Sequence, residues 1–240
     1  MNYKISCIIS CFNEEKNIPK LLRDIRKFRL ENKIKFIIVN NGSSDNSKVV
    51  IKKFKKKFKK IRFINVKKDK GWGNGIYQGL KNSKTPIVGW THGDLEYKIS
   101  DLKKVLEIIE SKSFVSKIKK NFIIKGERIN RNFTKKIFSF MMEVCCSIIL
   151  LKSLKDINAQ PFFCNINEFR SWKKIPYDLS LDMFAYYKSI AKKAHIYRIK
   201  VTQKNRIHGT SSWNKGFLSK FYLSILFIKR AIQIKLCHYF

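Results

Sequence analysis

The chain has 240 residues, 44% of them apolar, with 52 Lys+Arg against 17 Asp+Glu and a net charge of +35. That length is enough for one domain with a substantial core, and the apolar share is ordinary for a soluble protein. The charge would attract nucleic acid, anionic lipid or phosphorylated ligands, but an AT-biased, lysine-rich coding sequence explains it as simply, so charge alone selects no partner.

In chain order, Ile5–Ser10 reads as a buried strand and Glu14–Leu30 as a helix with Ile18, Leu21, Leu22, Ile25 and Phe28 on one face. Lys35–Val39 is a second strand, followed by the turn-rich NNGSSDNS and a helix over Val49–Phe58. Ile61–Val66 is a third strand, Gly75–Lys81 a helix behind a glycine cluster, and Pro86–Trp90 a fourth strand. This alternation predicts βαβ units and a mostly parallel sheet flanked by helices. Further on, the pattern predicts a helix over Leu102–Ile109, a strand over Phe122–Lys125 leading into Gly126-Glu127-Arg128, and a long apolar helix over Phe133–Leu151. A polar segment DINAQP, a helix over Leu179–Lys193 and a strand over His195–Val201 follow. The tail, 216–240, mixes Phe221, Leu223, Ile225, Leu226 and Phe227 with Lys220, Lys229, Arg230 and Lys235, as a basic amphipathic helix on a membrane surface would. The apolar helix before it, flanked by Lys135, Lys136 and Lys152, suits either that interface or the core.

Six cysteines (Cys7, Cys11, Cys145, Cys146, Cys164, Cys237) form no CxxC pair and no zinc-like spacing, which suits a reducing cytoplasm. The opening MNYKISCIISCFNEE is too briefly apolar for a signal peptide. No uninterrupted apolar run approaches the ~20 residues of a membrane-spanning helix.

Every unusual polar cluster follows a strand: CFNEE, NNGSSD, KDKGWGNG and THGDLE. In an open α/β sheet the strand ends are where ligands bind, so these clusters describe one site. Taken singly they are less specific. NNGSSD also suits an ordinary strand-to-helix turn, and KGWGNG is neither a GxGxxG nor a Walker loop, although its glycines would let backbone approach a ligand. In GWTHGDLEYK, His92, Asp94 and Glu96 alternate, and an extended chain would project them from one face. Asp94 and Glu96 are hard oxygen ligands suited to Mg²⁺ or Mn²⁺; a solvated strand end is the plainer alternative.

In order and spacing, CIISCFNEEKNI, FIIVNNGSSDNS, KGWGNGIYQGL and VGWTHGDLEY resemble the family 2 glycosyltransferases with the GT-A fold. Within that family they are most similar to the polyprenyl-phosphate sugar transferases, such as dolichyl-phosphate mannose synthases. GER, DINAQP and NRIHGTSSW extend the resemblance over roughly 3–215. It implies one GT-A domain over 1–215, with a nucleotide-binding half at 1–98 and an acceptor half at 99–215. Asn13 and Glu14 match the motif that contacts base or ribose, and Ser43, Asp45, Gly71 and Asn74 fall along the same donor site. Asn40 and Asn41 stand where many relatives carry aspartates. His92-Gly93-Asp94 falls on the metal-binding Asp-x-Asp motif with histidine first, leaving Asp94 and Glu96 as metal ligands and His92 as a partner for ribose or diphosphate. Arg128 and Arg206 are the implied diphosphate-stabilising cations. Asp182, or else Asp156, is the implied base should the acceptor be a hydroxyl; a phosphate acceptor needs none.

The expected activity is an inverting, Mg²⁺- or Mn²⁺-dependent transfer of one sugar from a UDP- or GDP-sugar to a polyprenyl phosphate or cell-envelope glycan, without polymerisation, since the QxxRW motif of processive synthases is absent. The expected place is the cytoplasmic face of the membrane, peripherally attached, with no nucleic-acid partner. The alternatives are a basic nucleic-acid-binding protein, which would leave the strand-end clusters unexplained, and a catalytically degenerate nucleotide binder.

Overall fold

A computed structural model of the chain describes residues 4–117, 121–130, 133–209 and 217–236. β1 (Ile5–Cys11) is buried at every position, and β2 (Ile34–Asn41) at all but one. That is why both read as unbroken apolar runs: helices cover both faces of a parallel sheet. β3 (Arg62–Val66) and β4 (Ile87–His92) lie parallel on either side of this pair, and the helices α1 (Ile18–Lys27), α2 (Ser47–Lys55) and α3 (Trp72–Lys81) carry the crossovers. Register places Cys11 beside Asn40, Asn40 beside Asn65 and Ser10 beside His92. The four polar loops therefore leave the sheet along one edge.

The second half continues the same sheet, in the order β3-β2-β1-β4-β6-β5-β7. β5 (Phe122–Ile129) and β7 (His195–Thr202) are parallel to each other, and β6 (Phe162–Asn165) runs antiparallel between β4 and β5. β5 runs past its expected end at Lys125, because that lysine is fully buried within the strand. α4 (Leu102–Glu110) falls where expected; the short α5 (Lys112–Lys117), β6 and α7 (Ile166–Arg170) were not anticipated. α6 (Phe133–Leu150), α8 (Leu181–Ala191) and α9 (Phe217–Leu236) complete the chain.

One apolar cluster unites β1, β2 and β5 with α1, α2 and α4 through Leu21, Ile25, Ile51 and Val105. On the opposite face, Ile76, Leu80, Trp90, Met142, Cys146, Phe184, Phe227 and Ala231 pack together. The tail helix thus contributes a stripe to that core, and Phe227, expected on a surface, is fully buried. Arg230 anchors it further, donating to Asp178 Oδ2 at 2.8 and 3.2 Å from Nη2 and Nε. The outer stripes of the α6–α9 pair remain apolar and exposed: Ile137, Phe140, Met141, Val144 and Ile148 on α6, and Phe221, Tyr222, Ile225, Ile232 and Leu236 on α9. The side chains of Lys135 and Lys220 lie outside those described, as does Cys237. No helix among the described residues is long and apolar enough to cross a membrane.

Candidate functional site

The first two polar loops are zipped together. Asn13 adopts a left-handed conformation (φ 56°), which lets its side-chain oxygen accept from the Ser44 and Asp45 amides at 2.9 and 3.3 Å. Its own amide donates to Ser43 Oγ at 3.0 Å, and Glu15 N donates to Asp45 Oδ2 at 3.1 Å. Asn13, Ser43 and Asp45 therefore spend these polar atoms building the rim. Along β2 and β3, Asn40 Nδ2 donates to Asn65 Oδ1 at 2.7 Å. Asn41 Nδ2 donates to Asp69 Oδ1 at 2.7 Å and to Gly71 O at 3.1 Å, while Asn74 Nδ2 donates to Asn41 Oδ1 at 3.2 Å. Asp69 also accepts the Gly71 amide at 2.8 Å. Sequence reasoning missed Asp69; its signal was a lone acid among lysines directly after the third strand.

Two of the KGWGNG glycines, Gly71 and Gly73, make room for the chain itself. A Cβ on Gly71 (φ 100°) would stand 2.5 Å from Tyr177 O, and one on Gly73 would stand 2.7 Å from both Pro176 O and Asp178 O. What comes close here is the chain's own 176–178 segment, which also accepts the Asn74 amide through Tyr177 O at 3.0 Å.

The acids converge, though not by strand alternation. β4 ends at His92, and Leu95 takes φ 62°, a conformation rare for leucine. Asp94 and Glu96 then meet on one guanidinium. Arg206 Nη2 donates to Asp94 Oδ2 at 2.7 Å and Nε to Glu96 Oε1 at 3.2 Å, while Nη1 lies 3.7 Å from Glu14 Oε1. Burial pushes the Glu14 carboxyl up to about 7, against the opposing pull of Asn17 and Arg206. Burial works against the Arg206 charge as well, but Asp94, Glu14 and Glu96 hold its pKa above the ordinary value. The expected assembly of Glu14, Asp94, Glu96 and Arg206 is thus brought together from opposite ends of the chain; Ser211 of the late motif lies outside the described residues.

No group of three His, Cys, Asp or Glu side chains placed to hold a metal exists among the described residues. Two carboxylates focused on one cation nevertheless fit Mg²⁺ or Mn²⁺, which take one or two protein carboxylates and complete their shell with phosphate and water. The His92 ring packs against Trp72 and Tyr97, with centroids 4.9 and 6.1 Å away.

Beneath the site lies a buried polar layer. Asp182 is 2% exposed, its Oδ1 accepting Trp90 Nε1 at 2.8 Å and its Oδ2 accepting Gln160 Nε2 at 2.7 Å. Burial raises its pKa, and the nearby Lys125 and His92 charges oppose that. Lys125, also missed from sequence, is fully buried, donates to Ile157 O and Ala159 O at 2.6 and 3.1 Å, and is pushed down to about 8 by burial. Both Asp182 oxygens are therefore already engaged as hydrogen-bond acceptors in a buried layer. Asp156 is likewise engaged: Oδ2 accepts the Arg128 amide at 2.6 Å and Oδ1 accepts Arg128 Nε at 2.5 Å, with Arg128 Nη2 closing on the same oxygen. The arginine expected to face a diphosphate and the acid expected to act as base thus neutralise each other.

A mostly parallel seven-stranded sheet flanked by helices, with acids and glycine turns gathered at its strand ends, has the architecture of the GT-A fold. The chain belongs to glycosyl transferase family 2, whose sequence model matches residues 6–194, and it is a glycosyltransferase. It is 31% identical over 171 residues to an uncharacterised protein of Methanocaldococcus jannaschii, covering 62% of this chain and 73% of that one. It is 25% identical over 167 residues to a dolichyl-phosphate beta-glucosyltransferase of Trichomonas vaginalis, covering 63% of this chain and half of that one. Among solved structures it resembles glucosyl-3-phosphoglycerate synthase of Mycobacterium tuberculosis in complex with Mn²⁺, UDP and glucosyl-3-phosphoglycerate. The TM-score is 0.68 at 12% identity, over 97% of this chain and 80% of that one, which is a likeness of fold.

Proposed function

We propose that this chain is an inverting, divalent-metal-dependent glycosyltransferase that moves one sugar from a UDP- or GDP-sugar to a polyprenyl phosphate. The observation that carries the proposal is the convergence of Glu14, Asp94 and Glu96 on Arg206 at the strand ends. Asp94 and Glu96 would hold the metal, and the metal when bound supplies positive charge to the departing diphosphate. Arg206 is the cation best placed to meet phosphate oxygens, because guanidinium pairs with them bidentately. The Asn41–Asp69–Gly71–Asn74 chain fixes the neighbouring strand ends as a rigid wall for the nucleoside.

The same geometry favours phosphate over hydroxyl as acceptor. An acceptor phosphate oxygen attacks the anomeric carbon as an anion, the bond to the nucleoside diphosphate breaks, and no proton has to be removed. A hydroxyl would need a free carboxylate, and Asp182 and Asp156 are both engaged. The exposed apolar stripes of α6 and α9, with Lys136, Lys152 and Lys229 exposed on or beside them, support peripheral attachment to an anionic, cytoplasmic membrane face where such a lipid resides.

The test is a thermal-shift screen of UDP, GDP and their sugars with Mn²⁺, repeated with EDTA, followed by transfer to a polyprenyl phosphate in vesicles. We expect stabilisation by one nucleotide that EDTA abolishes and that Asp94→Asn removes. No shift with any nucleotide would overturn the proposal.

A further inference from the structure

Arg206 sits on the two acids, Asp94 and Glu96, that would hold a divalent cation. Its guanidinium bridges Asp94 Oδ2, Glu96 Oε1 and the vicinity of Glu14 Oε1, with only 24% of its side chain exposed. The segment around it is tied to the same loops: Gln203 Nε2 donates to Glu96 Oε2 at 2.7 Å, Lys204 N to Glu96 O at 2.8 Å, and Asn17 Nδ2 to His208 O at 3.3 Å. Every one of these ties ends on Glu96 or on the loop that carries Glu14. The seating of residues 203–208 is therefore coupled to the loops that carry the acid cluster.

We infer that residues 203–208 form a strap that closes the acid cluster with the chain's own cation, so that metal and nucleotide diphosphate must displace Arg206 together. The inference rests on the sugar-transfer reading above and adds its regulation. Carboxylates as buried as Asp94 and Glu14 are costly without a counter-charge, and Arg206 supplies that charge while the site is idle. A divalent ion on Asp94 and Glu96 would claim the oxygens that Arg206 now holds, and the two cations would repel. Metal alone must then break two charge-assisted contacts and leave the guanidinium only its longer, 3.7 Å approach to Glu14. A diphosphate arriving with the metal gives Arg206 a new bidentate partner and removes that penalty. The two ligands consequently bind with positive coupling, and the coupling is reciprocal. Besides the Arg206 contacts, the strap is held by the hydrogen bond from Gln203 to the Glu96 carboxylate and by the neutral ones from Lys204 N and Asn17, the neutral ones worth only about 1 kcal/mol net each, so release of Arg206 lets it exchange between the two arrangements.

Mn²⁺ binding to the full chain, followed by loss of the free-ion EPR signal, tests this in the wild type, Arg206→Gln and Arg206→Lys, with and without UDP or GDP. Without nucleotide, Arg206→Gln should bind Mn²⁺ roughly tenfold more tightly than wild type, the equivalent of one lost charge-assisted contact. Arg206→Lys keeps the charge but lacks the fork, and it too should bind Mn²⁺ more tightly than wild type. Nucleotide should strengthen Mn²⁺ binding more in the wild type than in either variant. Equal Mn²⁺ affinity of wild type and Arg206→Gln, with nucleotide-dependent binding intact, would overturn the strap alone. So would an Arg206→Lys protein equal to wild type beside a tighter Arg206→Gln, since charge alone would then account for the effect. Absence of Mn²⁺ binding in all three proteins, with and without nucleotide, would overturn the strap and the metal-dependent reading together.

Discussion

Replacing Glu14 by Gln keeps the shape of a buried side chain and removes its charge, which isolates the cost of ionising it. Glu14 is 7% exposed, and burial lifts its pKa from an ordinary 4.5 to about 7 in the fold. The folded state thus holds the Glu14 proton more tightly than the unfolded chain does. The stability it confers is full below pH 4.5 and is lost as pH rises through about 7. At about 1.36 kcal/mol per pH unit of difference, the loss amounts to about 3 kcal/mol between pH 4 and pH 8. Glu14→Gln has no such proton to lose. Urea unfolding of both proteins in metal-free buffer should give stabilities whose difference moves in favour of the variant by about 3 kcal/mol across that range, with most of the change between about pH 5 and 7. A difference that stays flat from pH 5 to pH 8 would show that Glu14 ionises as an exposed carboxylate does, and would refute the burial argument. A change of opposite sign would mean that the Arg206 contact outweighs desolvation at this site.

Three further outcomes follow from the same geometry. Asp182→Asn turns one of the two oxygens that accept Trp90 Nε1 and Gln160 Nε2 into a donor and should cost about 1–3 kcal/mol of stability, with transfer falling only as far as the folded fraction does; a large loss of kcat at unchanged urea midpoint would instead restore Asp182 as a base. Gly73→Ala drives a methyl group to 2.7 Å from the Pro176 and Asp178 carbonyl oxygens, so its urea midpoint should drop by the equivalent of about 1–3 kcal/mol, and nucleotide affinity should weaken; an unchanged midpoint would contradict the close packing. Combining Phe140→Ser, Ile148→Ser and Tyr222→Ser on the exposed stripe should abolish co-sedimentation with phosphatidylglycerol vesicles while each change alters stability by less than about 0.5 kcal/mol; retained sedimentation would exclude α6 and α9 as the docking face.

The first hundred residues were legible because burial on both faces writes each of β1, β2 and β4 as an apolar run, and because the chemistry-bearing loops follow strands. The second half was harder to read for local reasons. β6 is only four residues long, too short for any periodicity to register, and Lys125 looked like a strand end when it is a buried strand interior. The tail forms the expected helix, but its partner did not show: Phe227 and Ala231 pack into the core with Met142 and Cys146 of α6, and no pattern within one helix reveals which of two apolar faces will be covered.

Sequence alone determined which residue types would gather at one sheet edge, since strand order and crossover handedness force the loops after β1 to β4 together. Tertiary structure alone decided how they are used. Leu95 turns left-handed so that Asp94 and Glu96 share a target, Arg128 consumes Asp156 from 28 residues away, and Arg206 reaches Asp94 across 112 residues of chain. Charge pairing over such separations leaves no periodic trace in the sequence, because it depends on where folding brings two side chains and not on the spacing between them.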